Sequence, residues 1–320
     1  MEQNRKKQVF TTMVTPFDEK GNVDYPAVRS MVRWYRDHGC DGIFASCLSS
    51  EIFQLNKDER VRLVREVVAE SHRLAEEEPD IPPLTIVASG HISVNFEDQV
   101  EELTRVAAEG PDALILISNR LDLERKGDDQ WIADAERLLE CIPKDIPLGI
   151  YECPVPTIRP LSEKILRWCA GNKRFRFIKD CCCNADEIKR RLSYCAGSNL
   201  KLFNANTPTL SQSIKDGAVG YCGIMANFHP DLYALLMEYD LDSDKAKAIQ
   251  KFLTWADETK QAYPCSAKYY LQQYEKIPIT LHCRVMNASE LDANAMKIVE
   301  QIVEKKKDLY ASLGIESVSL

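Results

Sequence analysis

Three short groupings carry side chains able to do chemistry. Lys179 ends the run Phe175-Arg176-Phe177-Ile178, Tyr151 ends Pro147-Leu148-Gly149-Ile150, and Ser49-Ser50-Glu51 follows Gly42-Ile43-Phe44-Ala45 by a few residues. A lysine carried out of an apolar strand loses hydration, which disfavours the ammonium and raises the fraction of neutral amine able to attack a ketone. The chemistry this permits is a Schiff base. Taken singly, each grouping also has a plainer and commoner reading: a lysine that snorkels to the rim, a core tyrosine with its hydroxyl at a polar edge, serines that cap a loop.

Which reading applies depends on the elements that hold them. Short β-rich runs at 9–14, 42–45, 85–88, 113–117, 147–151, 175–179, 200–203 and 220–223 alternate with stretches of helical period. Val28, Met31, Val32 and Tyr35 recur at i, i+3, i+4 and i+7, with Asp24 as a cap, Pro26 in the first turn and Gly39 past the end. Val61, Val64 and Val68 form a second stripe opened by Asn56 and Glu59, the spacing of a capping box. Phe96, Val100, Leu103 and Ala107 form a third, closed by Gly110. Runs such as Ala113-Leu114-Ile115-Leu116-Ile117 are those of parallel strands buried on both faces. An open nucleotide-binding sheet would want a glycine-rich loop after its first strand, and Thr15-Pro16-Phe17-Asp18 stands there instead. The pattern predicts an α/β fold, a (β/α)8 TIM barrel over residues 1–239 carrying the active site, with a C-terminal helical extension over 240–320 (helices at 245–262, 266–274 and 293–313) packed on it. In such a barrel reactive groups sit at the C-terminal ends of strands, where Lys179 and Tyr151 fall.

Composition removes several function classes. With 41 Lys and Arg against 49 Asp and Glu, the net charge is -8, and a run as short as Arg5-Lys6-Lys7 makes no phosphate-binding surface, so no nucleic-acid partner is expected. No apolar run approaches a membrane span and the opening residues 1–8 are too polar for a signal peptide, so neither a membrane partner nor export is expected and the protein is placed in the cytoplasm. Twelve cysteines in 320 residues read as free thiols of the core or pocket, because a chain of this length can bury enough surface without disulfides. Cys181-Cys182-Cys183 lacks the C-x-x-C spacing that brings two sulfurs to one ion, and no metal is expected.

Together these segments resemble the dihydrodipicolinate synthase / N-acetylneuraminate lyase family of class I aldolases. Thr11-Thr12-Met13-Val14-Thr15-Pro16-Phe17 with Gly21-Asn22-Val23-Asp24 is similar to its first strand and turn. Cys47-Leu48-Ser49-Ser50-Glu51 with Leu55-Asn56-Lys57-Asp58-Glu59-Arg60 resembles its G-[ST]-[ST]-G-E segment and the helix after it. Tyr151-Glu152-Cys153-Pro154 resembles Y-N-x-P, Ile178-Lys179-Asp180 its Schiff-base strand, and Gly217 to Gly220 with Ala226-Asn227 its eighth-strand region. The resemblance implies that Lys179 forms an imine with a 2-keto acid such as pyruvate, that Tyr151 shuttles protons, and that Ser49 and the backbone N–H of Ser50 hold the substrate carboxylate. It also implies a homotetramer built as a dimer of dimers, an aldehyde as second reactant, and no metal or organic cofactor.

Departures from the pattern bear on the substrate. Where the synthase branch carries an arginine after Y-N-x-P this chain has Pro156, with Arg159 three residues on; where it carries a second tyrosine after strand four, Leu121 stands; Leu48 replaces the first hydroxyl of the pair, and Cys47 and Ser50 replace its glycines. Glu152, Cys222, the charged loop 121–130 and His91 become candidates for the substrate pocket, each with an equally open reading as scaffold or solvated rim. The reading favoured is a lyase or aldolase joining or splitting a 2-keto acid and an aldehyde. Alternatives are a dehydratase of 2-keto-3-deoxy sugar acids, 4-hydroxy-tetrahydrodipicolinate synthesis, and a keto-acid-binding protein on an inherited barrel.

Overall fold

The computed structural model describes residues 7–315; Arg5 and Lys6 of the basic run, with residues 1–4 of the polar opening, lie outside the described residues. Parallel strands β1 (Gln8–Thr12), β2 (Gly42–Phe44), β3 (Thr85–Ala88), β4 (Ala113–Ile117), β5 (Leu148–Tyr151), β6 (Phe175–Asp180), β7 (Lys201–Asn204) and β8 (Gly220–Gly223) close in sequence order, with β8 pairing back onto β1. The eight expected strands are present and only their ends move. β1 stops at Thr12, opposite the last residue of β2, and β6 runs one residue further because Asp180 still has Asn204 as a partner on β7.

Each strand is followed by a helix: α1 (Tyr25–Asp37), α2 (Lys57–Glu77), α3 (Phe96–Ala107), α4 (Asp128–Cys141), α5 (Glu163–Gly171), α6 (Ala185–Cys195), α7 (Leu210–Lys215) and α8 (Pro230–Glu238). The local signals operate as their chemistry requires. The Asp24 carboxylate accepts from Ala27 N–H at 3.1 Å, and Asn56 and Glu59 exchange both bonds of a capping box at 2.9 Å. Val28, Met31, Val32 and Tyr35 are wholly buried, so the α1 stripe is the face laid on the barrel.

Strand alternation sends Phe10, Phe177 and Phe203 inward, with ring centroids 4.8 Å (Phe10–Phe203), 5.4 Å (Phe10–Phe177) and 4.5 Å (Phe177–Phe203) apart. This aromatic floor fits only because Gly42 has no side chain: a Cβ there would stand 2.3 Å from the Phe10 ring. The three rings form a floor beneath the C-terminal mouth, the end at which barrels of this kind carry their reactive groups.

Three further helices, α9 (Asp244–Thr259), α10 (Cys265–Gln273) and α11 (Ala293–Leu313), follow the barrel. Among the described residues no helix is long and apolar enough to cross a membrane. Buried ion pairs tie these helices down. Lys306 meets Asp231 at 2.9 Å, and Tyr310 donates to the same carboxylate at 2.7 Å. Lys268 reaches Glu51 at 3.1 Å with both side chains fully buried, while the second oxygen of Glu51 accepts from the amides of Arg284 and Val285 at 2.5 and 2.8 Å. Glu51 itself has φ 60°, a left-handed conformation that costs a non-glycine residue energy and persists because these three groups hold its side chain there. Lys268→Met should therefore strand a buried carboxylate and lower unfolding free energy by about 3–5 kcal/mol in a urea titration, whereas Lys→Met on the exposed Lys164 should leave it unchanged.

Candidate active site

Tyr151 and Lys179 are paired residues of adjacent strands, so both point into the barrel and their followers, Glu152 and Asp180, point out of it. Behind the wall the Arg191 guanidinium of α6 binds both followers, Asp180 at 2.7 Å and Glu152 at 2.8 Å, with Glu187 at 3.2 Å. All three of Arg191, Glu152 and Asp180 are buried; burial works against the Arg191 charge, and the two carboxylates outweigh it and hold its pKa above the ordinary value. Main-chain amides supply the remaining donors: Leu161 and Cys181 to Glu152 at 2.7 and 3.2 Å, Cys182 to Asp180 at 3.0 Å. The clamp holds β5 against β6 and with them the placement of Tyr151 and Lys179.

On the inner side, Lys179 is 5% exposed and its Nζ lies 4.3 Å from the Tyr151 ring centroid and 3.4 Å from Cys181 Sγ. The groups acting on the ammonium are thiols, not carboxylates. Burial is the largest influence and works against the charge; Cys181, Cys222 and Cys47 act the other way as thiolates, and with them ionised the balance is upward. Burial pushes the thiols themselves up, Cys181 to about 12, so at neutral pH they are uncharged and the desolvation of Lys179 is what remains. The Tyr151 phenol is also pushed well above its usual range, chiefly by burial, so it stands protonated as a donor. Cys222 of β8 belongs to this inward cluster, as do Cys47 and Cys153.

The hydroxyl side differs in part from expectation. Ser49 Oγ donates to Thr12 Oγ1 at 3.1 Å at the end of β1, and the Tyr263 hydroxyl lies within hydrogen-bonding reach of Ser49. Tyr263, just before α10, in turn accepts from Asn227 Nδ2 at 3.2 Å, so the C-terminal helices deliver a phenol to the barrel mouth. Ser50 is corrected: its N–H donates to the Cys47 carbonyl at 3.0 Å in the 3-10 turn Leu48–Ser50, and its hydroxyl is 2.8 and 2.7 Å from the carbonyls of Met13 and Ala45. It stitches this turn to β1 and β2 and has no donor left for a carboxylate.

Glu152 is corrected likewise. It faces away from the pocket and both oxygens are committed to Arg191 and the amides of Leu161 and Cys181, which makes it scaffold. Arg159 is held by Asp128 at 2.9 Å and Asp122 at 3.4 Å, and is not a free replacement for the arginine missing at Pro156. Leu121 is buried in the core behind the mouth. The loop 121–130 folds on Asp122, which accepts from the amides of Lys126 and Gly127 at 2.6 and 3.0 Å, and it borders a cavity of about 240 Å³ with α3 and α4. Sequence reasoning missed Thr12, Tyr263 and Arg120; the last of these follows β4 directly, where a search of every strand end for charged residues would have found it.

His91 is buried, its Nδ1 accepting from Ile117 N–H at 3.0 Å and its Nε2 facing Gln99 Oε1 at 3.1 Å, which fixes a neutral ring with the proton on Nε2. Burial lowers its pKa to about 4. Unfolded chains bind a proton here below about pH 6.5 and the native protein does not until about 4, so stability rises with pH across that window. Acidification from pH 7 to 4 should cost about 3 kcal/mol through this group. In His91→Gln, unfolding free energies at pH 7 and 4.5 should differ by correspondingly less than in the parent.

Comparison with known proteins agrees with this geometry. The sequence model of the dihydrodipicolinate synthetase family matches residues 5–75. The 4-hydroxy-tetrahydrodipicolinate synthase of Ralstonia nicotianae is 24% identical over 273 residues, 84% of this chain and 87% of the relative, and that of Porphyromonas gingivalis is 24% identical over 259 residues, 79% and 81%. Among solved structures, a dihydrodipicolinate synthase from Bacillus anthracis superposes with a TM-score of 0.80 at 17% identity, covering 93% of this chain and 98% of the other. The 4-hydroxy-tetrahydrodipicolinate synthase of Methylacidiphilum fumariolicum does so at 0.79 and 18%, covering 96% and 98%. With a closed eight-stranded barrel and these relatives over most of its length, the chain is similar to the dihydrodipicolinate synthetase family and shares its fold.

Proposed function

We propose that this chain is a class I, lysine Schiff-base lyase or aldolase that joins or splits pyruvate, or a related 2-keto acid, and an aldehyde. The observation that carries the reading is a desolvated Lys179 amine in the mouth of a filled barrel, 4.3 Å from the ring of a protonated Tyr151.

In the condensing direction, neutral Lys179 attacks the keto carbon and the carbinolamine loses water to give an iminium. That cation withdraws electrons from the neighbouring carbon, a proton leaves, and the resulting enamine attacks the aldehyde carbonyl carbon. The Tyr151 phenol supplies a proton to the alkoxide that forms and recovers one as the cycle closes. Water then hydrolyses the imine and returns the free amine; cleavage runs the same steps backwards. The iminium is the electron sink, so the reading calls for no metal or organic cofactor. Ser49 with Thr12 is the hydroxyl pair nearest the role of holding the keto acid's carboxylate.

The relatives are named as 4-hydroxy-tetrahydrodipicolinate synthases. Against carrying that reaction over stand Pro156 in the arginine's place, Arg159 spent on two aspartates, and Leu48 in place of a relay hydroxyl. The homotetramer that the resemblance implies is proposed here also. Val94 and Leu123, 65% and 47% exposed, give the loops after β3 and β4 an apolar face for such a contact, and light scattering at micromolar concentration should read a mass above the monomer.

Borohydride reduction in the presence of pyruvate should leave a covalent adduct that peptide mass mapping places on Lys179, and Lys179→Ala should leave none. Tyr151→Phe should still be trapped, while C–C turnover falls by about 10²- to 10⁴-fold. A folded protein that traps no 2-keto acid would sink the Schiff-base reading.

A further inference from the structure

We propose that Cys265 and Cys283 form a reversible disulfide that staples together the support of Glu51 and so makes the hydroxyl side of the barrel mouth sensitive to oxidation. The staple stands on geometry; only its effect on a 2-keto acid rests on the Schiff-base reading.

Cys265 opens α10, and Cys283 lies on the segment between α10 and α11. Both Sγ atoms turn to one acceptor, the Leu281 carbonyl, at 3.3 Å from Cys265 and 3.6 Å from Cys283. The two thiols are also within hydrogen-bonding reach of each other, and they pack with Leu291 and Ala295 in a small cluster apart from the barrel core. From such a separation only a small closing movement is needed to reach an S–S bond of about 2.05 Å. Their acidities differ in the useful sense. The Cys283 S–H donating to it, and after that the Lys268 ammonium, hold Cys265 below the ordinary thiol range against burial, while the same bond and burial push Cys283 up. Cys265 is therefore the attacking thiolate and Cys283 the thiol that resolves. The thiols around Lys179 compete poorly, because burial pushes Cys181 up to about 12 and raises Cys47 and Cys222 as well.

Hydrogen peroxide is an oxidant small enough for the site. Val285 is half-exposed and residues 287–290 are exposed, so local opening of this segment uncovers the sulfurs beneath it. The Cys265 thiolate attacks one peroxide oxygen, the O–O bond breaks, and hydroxide leaves as water with the proton that Cys265 had released. The Cys283 sulfur then attacks the sulfenic acid at Cys265, the S–O bond breaks, and a second water departs with the Cys283 proton. Two thiols lose two electrons and peroxide is reduced to two waters.

The position of the pair links this chemistry to the mouth. Tyr263, whose hydroxyl reaches Ser49, comes two residues before Cys265, and Lys268, three residues after it, holds Glu51 at 3.1 Å and the His282 carbonyl at 2.6 Å. On the other limb, Arg284 and Val285 follow Cys283 directly and give their amides to the second oxygen of Glu51. Both limbs that grip Glu51 thus begin at the two thiols, and an S–S bond joins them covalently. A left-handed Glu51 lasts only while its surroundings hold it, so the bond keeps the turn Leu48–Ser50, and Ser49 within it, in place against Thr12.

The test compares the full chain treated with hydrogen peroxide or with dithiothreitol, beside Cys265→Ser and Cys283→Ser carried through the same treatments. Peptide mapping of the oxidised parent should find a Cys265–Cys283 crosslink that both variants lack and that dithiothreitol removes. Oxidation should raise the parent's melting midpoint by about 5 °C through closure of the 265–283 loop, and slow hydrogen exchange over residues 281–285, with neither change in the variants. The pyruvate concentration for half-maximal borohydride trapping should be lower by about fivefold or more in the oxidised parent than in the reduced one. The variants should show no such redox difference, which separates the staple from oxidation of the thiols near Lys179. A folded parent that forms no such crosslink would overturn the proposal, as would a crosslink that leaves melting and exchange unchanged. A crosslink that stabilises the extension but leaves the trapping curve in place would overturn its reach to the mouth. If neither state traps pyruvate while the crosslink still raises melting and slows exchange, the Schiff-base reading falls and the staple stands.

Discussion

The buried bond between Arg191 and the carboxylates of Glu152 and Asp180 is the interaction on which the rest of the site depends. Strand alternation forces the residues after Tyr151 and Lys179 to the outside of the barrel, so one guanidinium on α6 can grip both strands one step beyond that pair. Three ionised groups out of water would be expensive on their own. The amides of Leu161, Cys181 and Cys182 offset part of that cost by filling the remaining lone pairs, which makes the cluster a complete network rather than a buried charge defect. Glu152, where the resembled motif has Asn, is an ionised side chain that the Arg191 guanidinium receives.

A second buried pair does for the hydroxyl side what Arg191 does for the lysine side. Glu51 comes directly after Ser49 and Ser50, and its carboxylate is fastened to Lys268 of α10 and to the amides of Arg284 and Val285. The strained backbone at Glu51 turns the preceding 3-10 turn toward β1, where Ser49 meets Thr12. The helices after the barrel are therefore part of the site's support, and through Tyr263 they contribute a group at its edge.

Much of this was legible in the sequence, and the limit of legibility has a physical origin. Period-2 and period-3.6 patterning and capping chemistry are local, so eight strands, the Asn56–Glu59 box and the stripe on α1 could be read within a few residues. Strand ends in a barrel also point predictably, which is why Lys179 and Tyr151 fall together. Ser50 and Glu152 were misread because their partners, not their neighbours, decide their role. Glu152 is satisfied by a residue 39 positions away and Glu51 by one 217 away, separations over which no periodicity carries information. Ser50 was misread on a smaller scale: a 3-10 turn consumes the very N–H that the resemblance assigns to a ligand.

The distribution of charge explains how a protein with an excess of acidic residues keeps carboxylates away from Lys179. The acids near the site have been turned outward or spent: Asp180 and Glu152 on Arg191, Glu102 on Arg60, Glu51 on Lys268. What faces inward is Lys179, with Arg120 at the rim, among thiols and aromatic rings that supply no counter-charge. Low-dielectric walls screen poorly, so a positive charge that forms on Lys179 is felt further there than it would be in water. The thiols matter in this respect because they bind water less well than hydroxyls and, kept protonated by burial, leave burial as the chief influence on the amine's proton affinity.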